Sequence, residues 1–478
     1  MNHIKRIVFL EPKSEKMHIF SRFDLPRLGN IILATIMKNK NYDVKAYFLK
    51  ANEIYSRLAD CSTVDLIAIS AITATVTVSY KLADYFRSKG IKVVIGGPHV
   101  SFNPEEALEH ADFCILGEGE KSLPMLVDAL NNNTSLIEVP GLAWKDDYEE
   151  IIINEKTKPI DNLDSIPYPD FTLLELNGKA VGVGIGKKEI VPMQTSRGCP
   201  FNCTFCSVTS MFGRRFRYRS IPNVIGEIKQ FNPKKQAIFF YDDNFTSNVK
   251  RTKRLLREMI RLELNFIWST QVRVDIAKDP ELLDLMSKAG CQILYIGFES
   301  IDPKALKEMK KHQSVEEIKW AIKEIRKRGI HIHGMFVFGF DADTPQTLQA
   351  SVDFAIKEKI DTVQFLILTP FPGTEFYAKM EEENRLIDYQ WDEYDAHHVK
   401  FLPKNMSAWE LQQAQFEAHK RFYSIKQLTS RLLRGRKLAF LIGLYAHRLN
   451  KKWIRWESKF LNVLKTFEGL PKSSPMKA

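Results

Sequence analysis

Short apolar runs alternate with amphipathic stretches along most of this chain, and the alternation comes in two series. The first fills residues 1–135. There "IKRIVFLEP", "DVKAYFL", "LIAIS", "KVVIGG" and "FCILG" have the length and β-branched content of strands. Between them, "LGNIILATIMKNK", "TVSYKLADYFRSKG" and "EKSLPMLVDALNN" space their apolar residues as helices do. Strands alternating with helices predict a parallel, doubly wound α/β sheet, and such sheets bind ligands outside the carboxyl ends of their strands. Three of those ends carry special residues. Ser70 to Thr73 bring hydroxyls, Gly96 and Gly97 bring bare backbone, and Gly117 to Glu120 form a second glycine turn.

Residues 136–190 break the pattern. "DNLDSIPYPDF" holds two prolines with Asp and Asn, the composition of a linker. The alternation resumes over 191–400 with six strand-like runs, from "VPMQTSR" to "TVQFLILTP". Charged helical stretches such as "VEEIKWAIKEIRKRG" separate them. Six strand–helix units in series predict a partial, (β/α)6, or full barrel of parallel strands, with its chemistry at the strand ends. Residues 401–478 show no strand pattern and read as a small helical region. Charge divides the same way. From Lys420 onward there are 15 Lys or Arg against 2 Asp or Glu, a surplus of +13, so the preceding 419 residues sum to −2 against the total of +11. The tail carries the basicity. Its mixture of cations with Trp and Leu suits an anionic membrane surface, RNA phosphates, or a helix that covers the barrel with its apolar face. The N-terminus reads as a first strand and not a signal peptide, and no run approaches the ~20 apolar residues of a membrane span. The expected compartment is the reducing cytoplasm, with peripheral contact at the inner membrane surface.

The chemistry concentrates in "TSRGCPFNCTFCSVTS". Cys199, Cys203 and Cys206 are spaced C-x3-C-x2-C. Three thiolates suit the soft iron of a [4Fe–4S] cluster and would leave one iron open to another ligand. Zinc with a remote fourth ligand and three incidental core cysteines are the competing readings. Cys61, Cys114 and Cys291 each stand alone and are expected in the core.

This loop, following a first strand and with Phe205 before the third cysteine, resembles the radical S-adenosylmethionine superfamily. The resemblance spans residues 190–400. It implies a cluster on the three cysteines and S-adenosyl-L-methionine on the open iron. Electron transfer into the sulfonium would then release a 5′-deoxyadenosyl radical able to take hydrogen from an unactivated carbon. It also places Asp242 or Asp243, in "YDDNF", at the methionyl amino group. Glu299 and Ser300, in "GFES", fall near the ribose and carboxylate. The usual Gly-Gly-Glu of the second strand is absent here. Arg273, in "TQVRVD", is a candidate to orient a carboxylate or to pair with a neighbouring acid.

The first series resembles the flavodoxin-like (Rossmann-like) cobalamin-binding domain of the cobalamin-dependent members. That implies cobalamin against Ser70, Thr73, Gly96 and Gly97. The Asp-x-His-x-x-Gly signature that supplies a histidine below cobalt is missing, and His99 follows "GGP" in another setting. The expected organisation is a cobalamin-binding domain (1–135), a linker (136–190), a radical core (191–400) and a basic helical region (401–478). The expected function is methylation of an unactivated carbon in a small or lipid-like substrate. An electron donor such as flavodoxin or ferredoxin would serve it, and nucleic acid is not the expected partner. The alternatives are anaerobic porphyrin ester cyclisation, tRNA methylthiolation and a non-enzymatic iron–sulfur sensor. Methylthiolation needs a second cysteine trio that Cys61 and Cys114 alone cannot supply.

Overall fold

The computed structural model describes residues 3–15, 25–176 and 188–467. Part of the expected linker and the last residues of the basic tail lie outside them. Eight strands form the first sheet: β1 (Arg6–Pro12), β2 (Asp43–Leu49), β3 (Leu66–Ser70), β4 (Lys92–Gly96), β5 (Phe113–Ile115), β6 (Leu142–Lys145), β7 (Ile151–Ile153) and β8 (Leu174–Glu175). They run in the order β7-β6-β5-β4-β3-β1-β2-β8. The strands from β8 across to β5 pair in parallel, while β6 and β7 add on antiparallel. The chain leaves β1 for β2 on one side and reaches β3 on the other, so the switch point lies between β1 and β3. Helices cover both faces, which is why β1 and β3 are almost continuously apolar and buried. The stretch expected as a linker thus supplies three strands of this sheet. Those strands are only two to four residues long, with β7 and β8 at the two edges, so they leave little periodicity to read.

After β9 (Glu189–Met193), a two-stranded ribbon of β10 (Ser196–Arg197) and β11 (Arg217–Tyr218) intervenes. The barrel continues through β12 (Gln236–Phe240), β13 (Trp268–Val272), β14 (Cys291–Glu299), β15 (His331–Phe338) and β16 (Thr362–Ile367). These strands pair in parallel in sequence order from β9 to β16, and the two ends of the row do not pair with each other. The result is an open six-stranded barrel. Its helices start on strong caps. Asp279 and Asp302 cap helices with proline at the first position, and Ser314 with Glu317 forms a capping box.

The C-terminal helices close the free edge of the barrel. From the helix Ala408–Phe422 and its cap, three side chains satisfy β16 as a neighbouring strand would. The Val363 N–H donates to the Tyr423 hydroxyl at 2.9 Å, and that hydroxyl donates to the Val363 carbonyl at 2.7 Å. The Phe365 N–H donates to His419 Nε2 at 3.2 Å, and Gln415 Nε2 donates to the Phe365 carbonyl at 3.0 Å. Over this packs the helix Lys437–Trp456, whose inner stripe is Ala439, Gly443, Ala446, Leu449 and Trp453. Trp453 is fully buried, edge-on to Phe416 with ring centroids 4.7 Å apart, and Phe460 is buried beside it. These two aromatics therefore belong to the lid's inner face. Among the described residues no helix is long and apolar enough to cross a membrane.

Candidate active site

The cysteines lie on a loop that β10 and β11 pinch shut through the Ser196–Tyr218 and Arg197–Arg217 pairs. Gly198 makes the turn out of β10 at φ +91°, and a Cβ there would stand 2.6 Å from the Arg215 carbonyl oxygen. Only glycine fits. The Cys206 N–H donates to the Cys203 carbonyl at 3.2 Å. Phe205 packs edge-on to Phe340 just past β15, and the Phe376 N–H donates to the Thr204 carbonyl at 2.9 Å, so the loop is anchored across the barrel mouth. All three thiols are free and half-buried. Burial raises both Cys199 and Cys206, the latter to about 12, while the Arg273 charge partly offsets the rise at Cys199. Thiols so placed ionise when a cation arrives to take them. Among the described residues no three His, Cys, Asp or Glu side chains are grouped to share one ion. Thiolates bound to separate irons of one cluster stand farther apart than that.

The two aspartates after β12 have separate surroundings. Asp242 is fully buried and accepts the Thr195 N–H at 3.1 and 3.2 Å, the Thr195 hydroxyl at 2.9 Å and the Ser196 hydroxyl. It fixes the chain just ahead of the cysteine loop. Asp243 has no side-chain hydrogen bond among the described residues. Burial, then the Asp242 charge, push it up to about 7, and its own charge acts on Cys199 and Cys206. Arg273 lays its guanidinium 3.8 Å from the Phe201 ring centroid, with its Nε buried and unpartnered. Glu299 ends β14 at φ +59° in an ion pair with Lys311, and the Ser300 hydroxyl accepts the Asp302 N–H at 3.0 Å. A Cβ at Gly297 would overlap the Glu299 carboxylate, so the glycine makes room for that pair.

A cavity of about 320 Å³ opens between the two sheets. On one side are the carboxyl ends of β3 and β4, with Ser70, Ile72, Gly96 and Gly97. On the other are Gln194, Arg197, Tyr241 and Asp243 of the barrel. Asp243 thus faces the cavity and the cysteine loop together. Gly97 sits at φ +112°, where a Cβ would run into the Ala71 carbonyl, so its glycine is required by the chain's own close approach. Thr73 does not line the cavity; it is buried as the first residue of the helix Thr73–Ser88. His99 is also outside it, buried edge-on to Trp391 with ring centroids 4.9 Å apart.

Charge holds the cavity's two walls together. Arg217 forks onto Glu118 at 2.7 and 2.8 Å, and Arg197 reaches Glu120 at 2.5 Å and Glu118 at 3.3 Å. The second glycine turn is therefore a clamp onto the cysteine ribbon. Arg27 bridges the switch point. Its N–H donates to both oxygens of Glu11 at the end of β1, and its Nη2 donates to the Ser70 carbonyl at the end of β3. Nothing in the sequence around Arg27 or Arg217 marks these roles. The one available signal is that Arg197 stands two residues before Cys199.

Models of two families match the chain: the B12 binding domain over residues 19–127 and the radical SAM superfamily over 193–355. An uncharacterized methyltransferase of Pyrococcus horikoshii is 33% identical, over 77% of this chain and 81% of the relative. The bacteriochlorophyllide d C-12(1)-methyltransferase of Chlorobaculum tepidum is 28% identical over 94% of both chains. The fold is shared with the cobalamin-dependent S-adenosylmethionine radical enzyme OxsB, solved with aqua-cobalamin and S-adenosylmethionine bound. The TM-score is 0.69 at 16% identity, covering 99% of this chain and 77% of that one. On the family match, the relatives and the doubly wound sheet docked against an open barrel, this chain belongs to the radical SAM enzymes that carry a B12-binding domain and use a [4Fe–4S] cluster, S-adenosylmethionine and cobalamin.

Proposed function

We propose that the chain is a methyltransferase acting on an unactivated carbon of a small or lipid-like substrate. The observation that carries this reading is the cavity between the sheets, because it sets the switch-point ends of the B12-binding domain against the barrel mouth that bears the cysteine loop. When bound, the cluster supplies the electron that cleaves S-adenosylmethionine, and cobalamin supplies a carrier for the methyl group.

The chain's own residues divide the remaining work. Cys199, Cys203 and Cys206 hold the cluster. Asp243, unpartnered and facing both sites, receives the amino group of S-adenosylmethionine, while Asp242 holds the strand end that carries the loop. Arg273 would orient a carboxylate of S-adenosylmethionine, and Glu299, steadied by Lys311, would serve with Ser300 on the ribose side. Ser70, Gly96 and Gly97, which line the cavity, would hold cobalamin, while His99 is buried away from it against Trp391. In this reading residues 1–135 are the cobalamin unit, 136–190 extend its sheet toward the barrel, 191–400 form the radical core and 401–478 the basic lid. A flavodoxin or ferredoxin supplies electrons, and the substrate is reached at an anionic membrane surface. The relative named for methylating bacteriochlorophyllide d favours that substrate class.

The test is anaerobic reconstitution with iron, sulfide and cobalamin, followed by turnover with candidate apolar substrates. Methyl transfer predicts 5′-deoxyadenosine and S-adenosylhomocysteine in equal amounts with the methylated product. 5′-Deoxyadenosine with no S-adenosylhomocysteine would replace methylation by a cyclisation-type reaction. No cleavage at all would leave an iron–sulfur protein without the activity.

A further inference from the structure

We infer that the corner between the helices Ile425–Leu433 and Lys437–Trp456 is a membrane-docking tip that inserts leucines between anionic headgroups. The inner faces of these two helices are used up. Leu428 and Arg431 of the first and the Ala439–Trp453 stripe of the second pack on the body, and Gly443 lets the two helices touch at Leu428. What remains outward is apolar where a surface helix would be polar. Ile425, Leu432 and Leu433 share one face of the first helix, seven and eight residues apart, which is two turns. Leu433 is 88% exposed and Leu441, four residues into the second helix, is 61% exposed. Large apolar side chains grouped this way on a soluble surface mark an interaction site.

The charge around the tip selects the partner. Arg434 and Lys437 stand within the corner itself, and Arg448, Lys452 and Arg455 continue along the outer face toward Trp456. None of these cations has a carboxylate partner among the described residues. By contrast Arg436 is bound inward to Asp361, and Lys420 and Arg421 pair with Glu417 and Asp353. The Lys452 ammonium lies 4.5 Å from the Trp456 ring centroid, and Trp456 is 52% exposed. Exposed leucines flanked by Arg434 and Lys437, with the cations Arg448, Lys452 and Arg455 and the exposed Trp456 farther along the same helix, match an anionic bilayer at two depths. The apolar side chains enter the acyl boundary while the cations meet the phosphates. RNA would use the cations and leave the leucines idle, and a second copy of this chain would present the same positive charge to itself. This deepens the lipid-like substrate reading and rests on it only for the purpose of the contact. Docking itself is measured without turnover, so its failure and the failure of methyl transfer are separate results.

The experiment is co-sedimentation of the full-length, cofactor-loaded protein with vesicles of phosphatidylcholine alone and of phosphatidylcholine mixed with phosphatidylglycerol. The expected result is pelleting with the mixed vesicles only, weakening as salt shortens the screening length. A Leu432→Ser/Leu433→Ser variant should lose at least about tenfold in partitioning, consistent with leaving two leucines unburied. Arg434→Glu/Lys437→Glu should lose a comparable amount. Both changes are at the surface, and an unchanged thermal transition and cobalamin content would show each variant folded. Equal binding to both vesicle types, or wild-type partitioning of the leucine variant, would overturn the inference. So would tRNA binding that survives the leucine change while vesicle binding is absent. A leucine variant that changes only the oligomeric state would reassign the face to self-association.

Discussion

Adjacent aspartates at the end of one strand do unlike jobs here, and substitution separates them. Asp242→Asn replaces an acceptor for three donors with one that can satisfy them only in part. In a fully buried site this should cost about 2–3 kcal/mol, read by chemical denaturation, before any effect on catalysis. Asp243→Asn removes a carboxylate that burial and its neighbour already push up to about 7, so stability should hold or rise slightly. Its loss should appear in binding of S-adenosylmethionine, by about ten- to a hundredfold in calorimetry, the worth of one charge-assisted hydrogen bond. If the two variants behave alike, the division of roles is wrong. Gly97→Ala tests the other wall. The left-handed φ and the Ala71 carbonyl together predict at least about 1–3 kcal/mol of strain and a fall in bound cobalt measured by metal analysis.

Two elements that meet across the cavity, the turn after β5 and the β10–β11 ribbon, couple the halves of the molecule through Glu118, Glu120, Arg197 and Arg217. Glu118→Gln leaves two buried guanidinium groups short of a charge, which should cost about 3–5 kcal/mol at this contact. Denaturation followed by tryptophan fluorescence and by cobalamin absorbance should then split into two transitions where the parent shows one. A single undisplaced transition would mean that the contacts at Trp391 hold the halves without the clamp. This clamp also shows where reading the sequence stops. The strand–helix alternation made both sheets legible, because buried parallel strands are continuous apolar runs and the helices between them keep their period. The cysteine spacing was legible because three thiols within eight residues make a local pattern. The partner of Glu118 was not, since it stands 99 residues away and pairing at that distance leaves no local pattern. "DD" likewise named two candidates without saying which one turns inward. The strands β6 to β8 were lost in a stretch of turn residues because strands of two to four residues leave little hydrophobic pattern.

At the level of the whole molecule, the basic tail is part of the barrel's closure as well as its outer surface, and a buried histidine latches it. His398 lies with Nδ1 3.0 Å from Asp395 and Nε2 3.1 Å from Glu457, the residue between the last two described helices, and the rings of Trp453 and Phe460 complete its surroundings. Burial alone would lower its pKa, but the two carboxylates outweigh that and push it up to about 10 from 6.5. A folded-state pKa above the unfolded value means the latch contributes fully below about 6.5 and is lost as pH rises through about 10. Hydrogen exchange of residues 437–467 should therefore accelerate on the alkaline side, and a His398→Gln variant should show weaker protection with that dependence removed. The side chains that complete β16 also bear on how the protein is made. Tyr423 follows Val363 by 60 residues, so a ribosome finishes the last barrel strand well before it delivers the groups that cover it. In that interval the nascent barrel presents an unpaired strand edge, the geometry that templates sheet-to-sheet association. A premature stop anywhere before residue 423 should accordingly yield an aggregate and not a soluble, merely inactive barrel. Nested 3′ deletions of the gene should show soluble yield collapsing at that codon.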